Sequence, residues 1–200
     1  MRKLIFAINI TIDGYADHTS GIADDELHDF YANLLGTVDI VLFGRKTYQL
    51  IESYWSKAPS DPQATKSMIE FANKINSLPK IVFSRTLDKI PLSSEAAAME
   101  GWKNTKQIKE NMLEEVLKLK EQSGNNISVG GISIASTFMK RDLIDECWFL
   151  VQPIVLGGGR RLFSQRDGMP EKLNHYNRQL ELVDTDKFKS GVVVLHYKKI

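Results

Sequence analysis

Short apolar runs alternate with amphipathic stretches along most of the chain. Residues 4–12 are almost all apolar or β-branched, which predicts a strand buried on both faces that ends at the turn signal Asp13-Gly14. Residues 24–35 then place Leu27, Phe30, Tyr31 and Leu34 on one helical face, with Asp24, Asp25 and Glu26 at the start favoured by the helix dipole and Gly36 as the cap. A second strand, 38–43, runs straight into Gly44-Arg45-Lys46-Thr47-Tyr48 and a short helix. Asp61-Pro62 reads as an N-cap with proline at the first helical position, ahead of a stripe formed by Met68, Phe71, Ala72 and Ile75. A third strand over 80–83 ends in Ser84-Arg85-Thr86, and 96–99 reads as one more short strand. Ile108, Met112, Leu113, Val116 and Leu117 predict a helix over 108–121 whose outer face carries a Glu114/Lys118 pair.

From residue 126 onward the pattern changes. A strand over 127–129 meets Gly130-Gly131, and a helical stretch with Ile134, Phe138 and Met139 follows. The last third of the chain is strands, at 147–155, 178–184 and 191–197, the last two joined around 186–190. Strands alternating with helices imply a mostly parallel sheet covered on both faces, and the closing pair implies an antiparallel C-terminal edge. No repeat, low-complexity linker or composition break divides the chain, so 1–200 reads as a single three-layer α/β domain.

Composition removes several function classes. With 26 basic and 25 acidic side chains the net charge is +1, which leaves no broad electrostatic footprint for nucleic acid. Cys147 is the one cysteine, and His18, His28, His175 and His196 are scattered, so neither a disulfide framework nor a metal site is expected. The default setting is reducing and cytoplasmic. The apolar run near the N-terminus is too short for a signal-peptide core or a membrane span.

In an open α/β sheet the ligand crevice lies beyond the carboxyl ends of the strands. Three such ends carry unusual residues: Gly44, Arg45, Lys46 and Thr47; Ser84, Arg85 and Thr86; and Gly130, Gly131, Ile132 and Ser133. Glycines where a strand feeds a helix let phosphates approach unpaired N–H groups and the positive end of the dipole. A tight turn alone accounts for Gly130-Gly131 equally well. Together the three ends suit a nucleotide with several phosphates. The sequence has no G-x-x-x-x-G-K-[ST], no G-x-G-x-x-G after the first strand and no G-x-S-x-G, which excludes a Walker loop, a standard dinucleotide fingerprint and a nucleophile elbow.

The ordered set Ile12-Asp13-Gly14, Leu42 to Tyr48, Ile81 to Arg85, Val129-Gly130-Gly131 and the run from Pro153 to Gly159 ending in Leu162-Phe163 resembles the dihydrofolate reductase-like superfamily. It is most similar to stand-alone proteins like the C-terminal reductase domain of the bifunctional riboflavin-biosynthesis deaminase/reductase, over residues 3–198. The resemblance implies a bound NADPH and a small-molecule substrate reduced by hydride transfer, pterin-like or like 5-amino-6-(5-phosphoribosylamino)uracil. It also implies that Gly44 to Thr47 and Gly130 to Ser133 hold the pyrophosphate. Ser84 and Arg85, helped by Arg45 or Lys46, would hold the 2′-phosphate, and the nicotinamide would lie near Ala7 and Ile12. The chain departs from its relatives in two ways. One cysteine cannot supply a fused zinc deaminase, and residues 19–23 lack the tryptophan usual in true dihydrofolate reductases.

Hydride transfer to C=O or C=N also needs a proton. Asp13 is the first candidate and Asp25 the second, although a turn and a helix start explain these acids as well. Tyr15, Trp55 and Trp102 are candidates for stacking on a planar ligand, at least two of them being expected to serve packing. The apolar strands near the C-terminus, 148–154 and 192–196, exceed what one sheet edge can hide, and domains of this type pair there, so a homodimer is expected. A non-catalytic NADP(H)-binding module on the same fold is the alternative function.

Overall fold

A computed structural model describes residues 1–162 and 177–200. Its eight strands are β1 (Leu4–Thr11), β2 (Val38–Gly44), β3 (Lys80–Phe83), β4 (Thr105–Ile108), β5 (Asn126–Gly130), β6 (Glu146–Gln152), β7 (Leu180–Lys187) and β8 (Val193–Lys199). They form one sheet in the order β4-β3-β2-β5-β1-β6-β8-β7. Pairing is parallel from β4 across to β6, and β8 and β7 close the edge antiparallel. The expected mixed sheet with its C-terminal antiparallel edge is therefore what the chain builds.

Helices cover both faces. On one side α1 (Asp25–Leu35), α2 (Arg45–Trp55), α3 (Lys66–Ser77), α4 (Ser94–Ala98) and α5 (Glu100–Lys103) enclose a core of Ile5, Val41, Tyr48, Ile75, Val82 and Trp102. On the other, α6 (Met112–Glu121) and α7 (Ile132–Lys140) pack on Leu4, Phe6, Leu42 and Val129. Adjacent Ile5 and Phe6 thus serve opposite cores, as strand alternation requires of a central strand buried on both faces.

Local chemistry corrects several expected elements. Residues 96–99 are not a strand. Ser93 caps α4 by accepting from Ala96 N, and the alanines that follow favour the helix. The helix expected over 108–121 divides: Ile108 ends edge strand β4 opposite Phe83, and Asn111 takes a left-handed conformation (φ 55°) before α6 begins at Met112. Asp61 does not cap α3. Its carboxylate accepts from Gln63 N in a turn, and Thr65 caps the helix instead. Proline 153 stops β6 short of the apolar run's end. Of the residues singled out above, Phe163 and His175 lie outside the described residues.

Trp102 is wholly buried, packs edge-on against Tyr48 and donates to Asn76 Oδ1 at 2.8 Å. Beside it, fully buried Lys80 donates to Ile75 O and Leu78 O, both at 2.6 Å, with Nζ 4.1 Å from the Trp102 ring. A cation on the carbonyls that end α3 suits the negative pole of that helix. Burial works against it and pushes the Lys80 pKa down to about 7.

Candidate functional site

The strand order gathers the expected residues along one edge. Ser84 and Arg85 follow β3, Gly44 ends β2 ahead of Arg45 to Thr47, Gly130 ends β5 ahead of Gly131 to Ser133 and Ile12-Asp13 follow β1, and these four strands are consecutive neighbours in the sheet. At the middle of the row, β2 and β5 end side by side with Phe43 opposite Gly130. Each feeds a helix, α2 from Gly44 and α7 from Gly131, and neither helix has a side-chain cap or an acid in its first turn.

The two turns are pressed together. Gly131 sits at φ +102°, and a Cβ there would collide with Thr47 Oγ1, while one on Gly130 would collide with the Phe43 ring. Both glycines are thus required by close approach. Gly44 is not, because a Cβ on it would make only an ordinary 3.6 Å contact with Ile134. The outcome is two open N-termini, whose orphan N–H groups share one small region at the sheet edge.

Cations follow two of these strand ends. Arg45 and Lys46 occupy the first turn of α2, where a positive charge meets the positive pole of the helix and is unfavourable unless an anion joins it. Among the described residues, neither these side chains nor that of exposed Arg85 makes a hydrogen bond or ion pair. Ser84 is buried, and its Oγ accepts from Thr86 N at 3.3 Å and Leu87 N at 3.2 Å, so it shapes the turn that presents Arg85.

Asp13 anchors a neighbouring loop. Its carboxylate accepts from Thr11 Oγ1 at 2.6 Å, from Gly157 N at 2.7 Å and from Leu156 N at 3.2 Å. These donors, the Thr11 hydroxyl first, lower its pKa to about 2. The loop it holds continues to Arg160, whose backbone carbonyl accepts from Ala16 N at 2.8 Å and whose guanidinium donates to Ser133 Oγ at 2.7 Å, over the start of α7. Arg161 stacks on Tyr15, 4.9 Å from the ring centroid. Ile12 and Val155, 63% and 73% exposed, offer bare apolar surface next to this loop. Arg160 and Arg161 were missed in the sequence, where a basic pair directly after Gly157-Gly158-Gly159 was the available signal.

Asp25 and Ala7 lie away from this row. Asp25 accepts from Thr65 Oγ1 at 2.7 Å and from Ser67 Oγ, contacts that lower its pKa, the Ser67 bond most, and tie α1 to the start of α3. Half-buried Ala7 is mid-strand on β1, packed against the cluster under α1. Of the stacking candidates, Trp102 is core and Trp55 packs against His28 and Phe71, so two of three serve packing as expected. Among the described residues no cluster of His, Cys, Asp or Glu could hold a metal, and no helix is long and apolar enough to cross a membrane. A small surface cleft lined by Met139, Asp142, Ile144 and Lys199 lies near the start of β6, at the opposite edge of the sheet from these residues.

Comparison with known proteins agrees with this fold. The pyrimidine reductase-like protein of Corynebacterium diphtheriae superposes with a TM-score of 0.67 at 16% identity, over 100% of this chain and 92% of that one. The Thermotoga maritima diaminohydroxyphosphoribosylaminopyrimidine deaminase/5-amino-6-(5-phosphoribosylamino)uracil reductase superposes with a TM-score of 0.62 at 16% identity, over 100% of this chain and 57% of that longer one. At such identities the likeness speaks for the fold. In sequence, the uncharacterized Bacillus subtilis (strain 168) protein YyaP is 32% identical over 98% of this chain and 94% of its own length. The model of the RibD C-terminal domain matches residues 2–194, and the chain belongs to that family.

Proposed function

We infer that this chain is an NADPH-dependent reductase of a small heterocyclic or sugar-linked substrate. The observation that carries the reading is the pair of open, glycine-led helix N-termini packed side by side at the ends of β2 and β5, with Arg45, Lys46 and Arg85 unengaged around them. Backbone donors at Gly44 to Thr47 and Gly130 to Ser133 suit a pyrophosphate. Arg85, with Arg45 or Lys46, suits a 2′-phosphate, and neither of these strand ends carries the acid that an NAD-type ribose site uses. Ile12 and Val155 suit the face of a planar ring. When bound, the cofactor supplies the hydride.

The family and the names of its structural neighbours support a pyrimidine-type reductase. Asp13 acts in this reading as a positioning group, since a carboxyl with a pKa near 2 is ionised at neutral pH and a poor acid. The proton then comes from solvent. That Asp13 is a poor acid favours the second reading, an NADP(H)-binding module without turnover. The test is to mix the purified protein with NADPH and pterins, dihydrofolate or pyrimidine-ribityl compounds and follow the absorbance of the reduced cofactor. Substrate-dependent loss supports the reductase. Tight NADPH binding with no loss across the set selects the module.

A further inference from the structure

The α1 face of the sheet carries two side-chain carboxamides near the carboxyl ends of β1 and β6. Gln152 stands opposite Thr11 across that pair and is 1% exposed. Its Oε1 accepts from Ile22 N at 3.0 Å. This bond fixes which way round the amide sits, because a flip would set the amino group against another N–H. Nε2 is buried and has no partner among the described residues. Gly21 runs directly over the side chain, since a Cβ there would sit 3.6 Å from Gln152 Cδ.

Asn9 lies two residues before Thr11, hence on the same face. Its Oδ1 accepts from Tyr31 Oη at 3.3 Å. Burial raises the Tyr31 pKa, so the phenol stays protonated and remains a donor. The Asn9 amino group meets no acceptor among the described residues. Both carboxamides therefore have their oxygens occupied and their N–H groups unused. Ala7, next along the same face of β1, adds only a methyl group. An unpartnered donor as buried as Gln152 Nε2 is destabilising and uncommon, and an acceptor brought by a ligand would satisfy it.

We propose that Gln152 Nε2, once the Gly21 turn that covers it gives way, receives a carbonyl oxygen on the ring of the substrate, with Asn9 Nδ2 on the same face as the second donor, which makes these two residues determinants of specificity for an oxo-bearing over an amino-bearing ring edge. This rests on the reductase reading for what then happens to the ring, but the donor pair exists whatever that reaction is. A site whose hydrogen-bonding group is left unpaired by the wrong ligand discriminates strongly.

The test uses the full chain and two probes, pterin, which carries a 4-oxo group, and 2,4-diaminopteridine, which carries an amino group there. Calorimetry on the wild type should show pterin binding at least about tenfold tighter. Gln152→Glu replaces the donor with an acceptor and should reverse the order. Gln152→Met should level the two affinities, while the lost acceptor for Ile22 N should lower its melting temperature whatever binds. Should Gln152→Glu fail to fold, the levelled affinities of Gln152→Met decide. Equal wild-type affinities, no saturable binding of either probe at millimolar concentration, an unchanged order in Gln152→Glu, or a preference kept in Gln152→Met would each overturn the proposal. NADPH affinity measured in parallel separates the two readings. A protein that prefers pterin but does not bind NADPH loses the reductase assignment only, and one that binds NADPH without an oxo preference loses this proposal only.

Discussion

Gly131→Ala probes the junction on which the site depends. The residue sits at φ +102°, where a side chain is strained whatever the surrounding space, and the added methyl would also run into Thr47 Oγ1. The backbone strain is worth about 1–3 kcal/mol, and forcing a methyl into packed atoms about 1–3 kcal/mol more. The sum, about 2–6 kcal/mol, is a large part of the roughly 5–15 kcal/mol that holds a domain of this kind together. In urea melts it should lower the midpoint by about 1–2 M. The two contributions separate in a second variant. Gly131→Ala with Thr47→Ala removes the colliding hydroxyl but keeps the left-handed backbone, so about 1–3 kcal/mol should return and the rest remain lost. Gly130→Ala is the control, because that residue has ordinary φ and only the Phe43 ring in the way. A Gly131→Ala protein within about 0.5 kcal/mol of wild type, the range of an indifferent surface change, would refute the close approach of the two turns.

Further consequences are open to direct measurement. Arg45→Ala and Arg85→Ala, made separately, should identify the 2′-phosphate contact: loss of a charge-assisted bond worth about 1.5–3 kcal/mol weakens NADPH by about ten- to a hundredfold and leaves NADH nearly unchanged. Lys80 should give stability a pH dependence. Its folded pKa, pushed to about 7, lies below the ordinary 10.5, so the unfolded chain holds the extra proton between these values and stability rises with pH across that window. The rise should vanish in Lys80→Met, and equal slopes would mean that the carbonyls of Ile75 and Leu78 keep the ammonium charged. Edge strand β7, with Leu182 and Val183 about half exposed, should pair with a second copy. Light scattering at micromolar concentration should give twice the monomer mass, and the monomer mass alone would count against a dimer.

The central strands were legible because they are short apolar runs with turn signals at their ends, and the glycine-led turns were legible because each follows such a run. Strand β4 was not. Thr105-Lys106-Gln107-Ile108 is mostly polar, as an edge strand can be, and Ile108 also fits the apolar spacing of the helix that follows. The left-handed Asn111 that separates them gives no signal beyond being an asparagine. In the site, Arg45 and Arg85 stood out because they directly follow strands. The Asp13 anchor, Arg160 over Ser133 and the Gln152 contact with Ile22 were hidden, since each joins segments far apart in the chain. Asp13 reads locally as a turn residue, and only the fold reveals that it holds Leu156 and Gly157.

The most direct measurement is a calorimetric titration of the wild-type protein with NADPH and with NADH under the same conditions. The arrangement of Arg45, Lys46 and Arg85 around two open helix N-termini predicts saturable NADPH binding, about ten- to a hundredfold tighter than NADH. Equal affinity for the two would contradict the proposed phosphate site, and no binding of either would contradict the cofactor assignment itself.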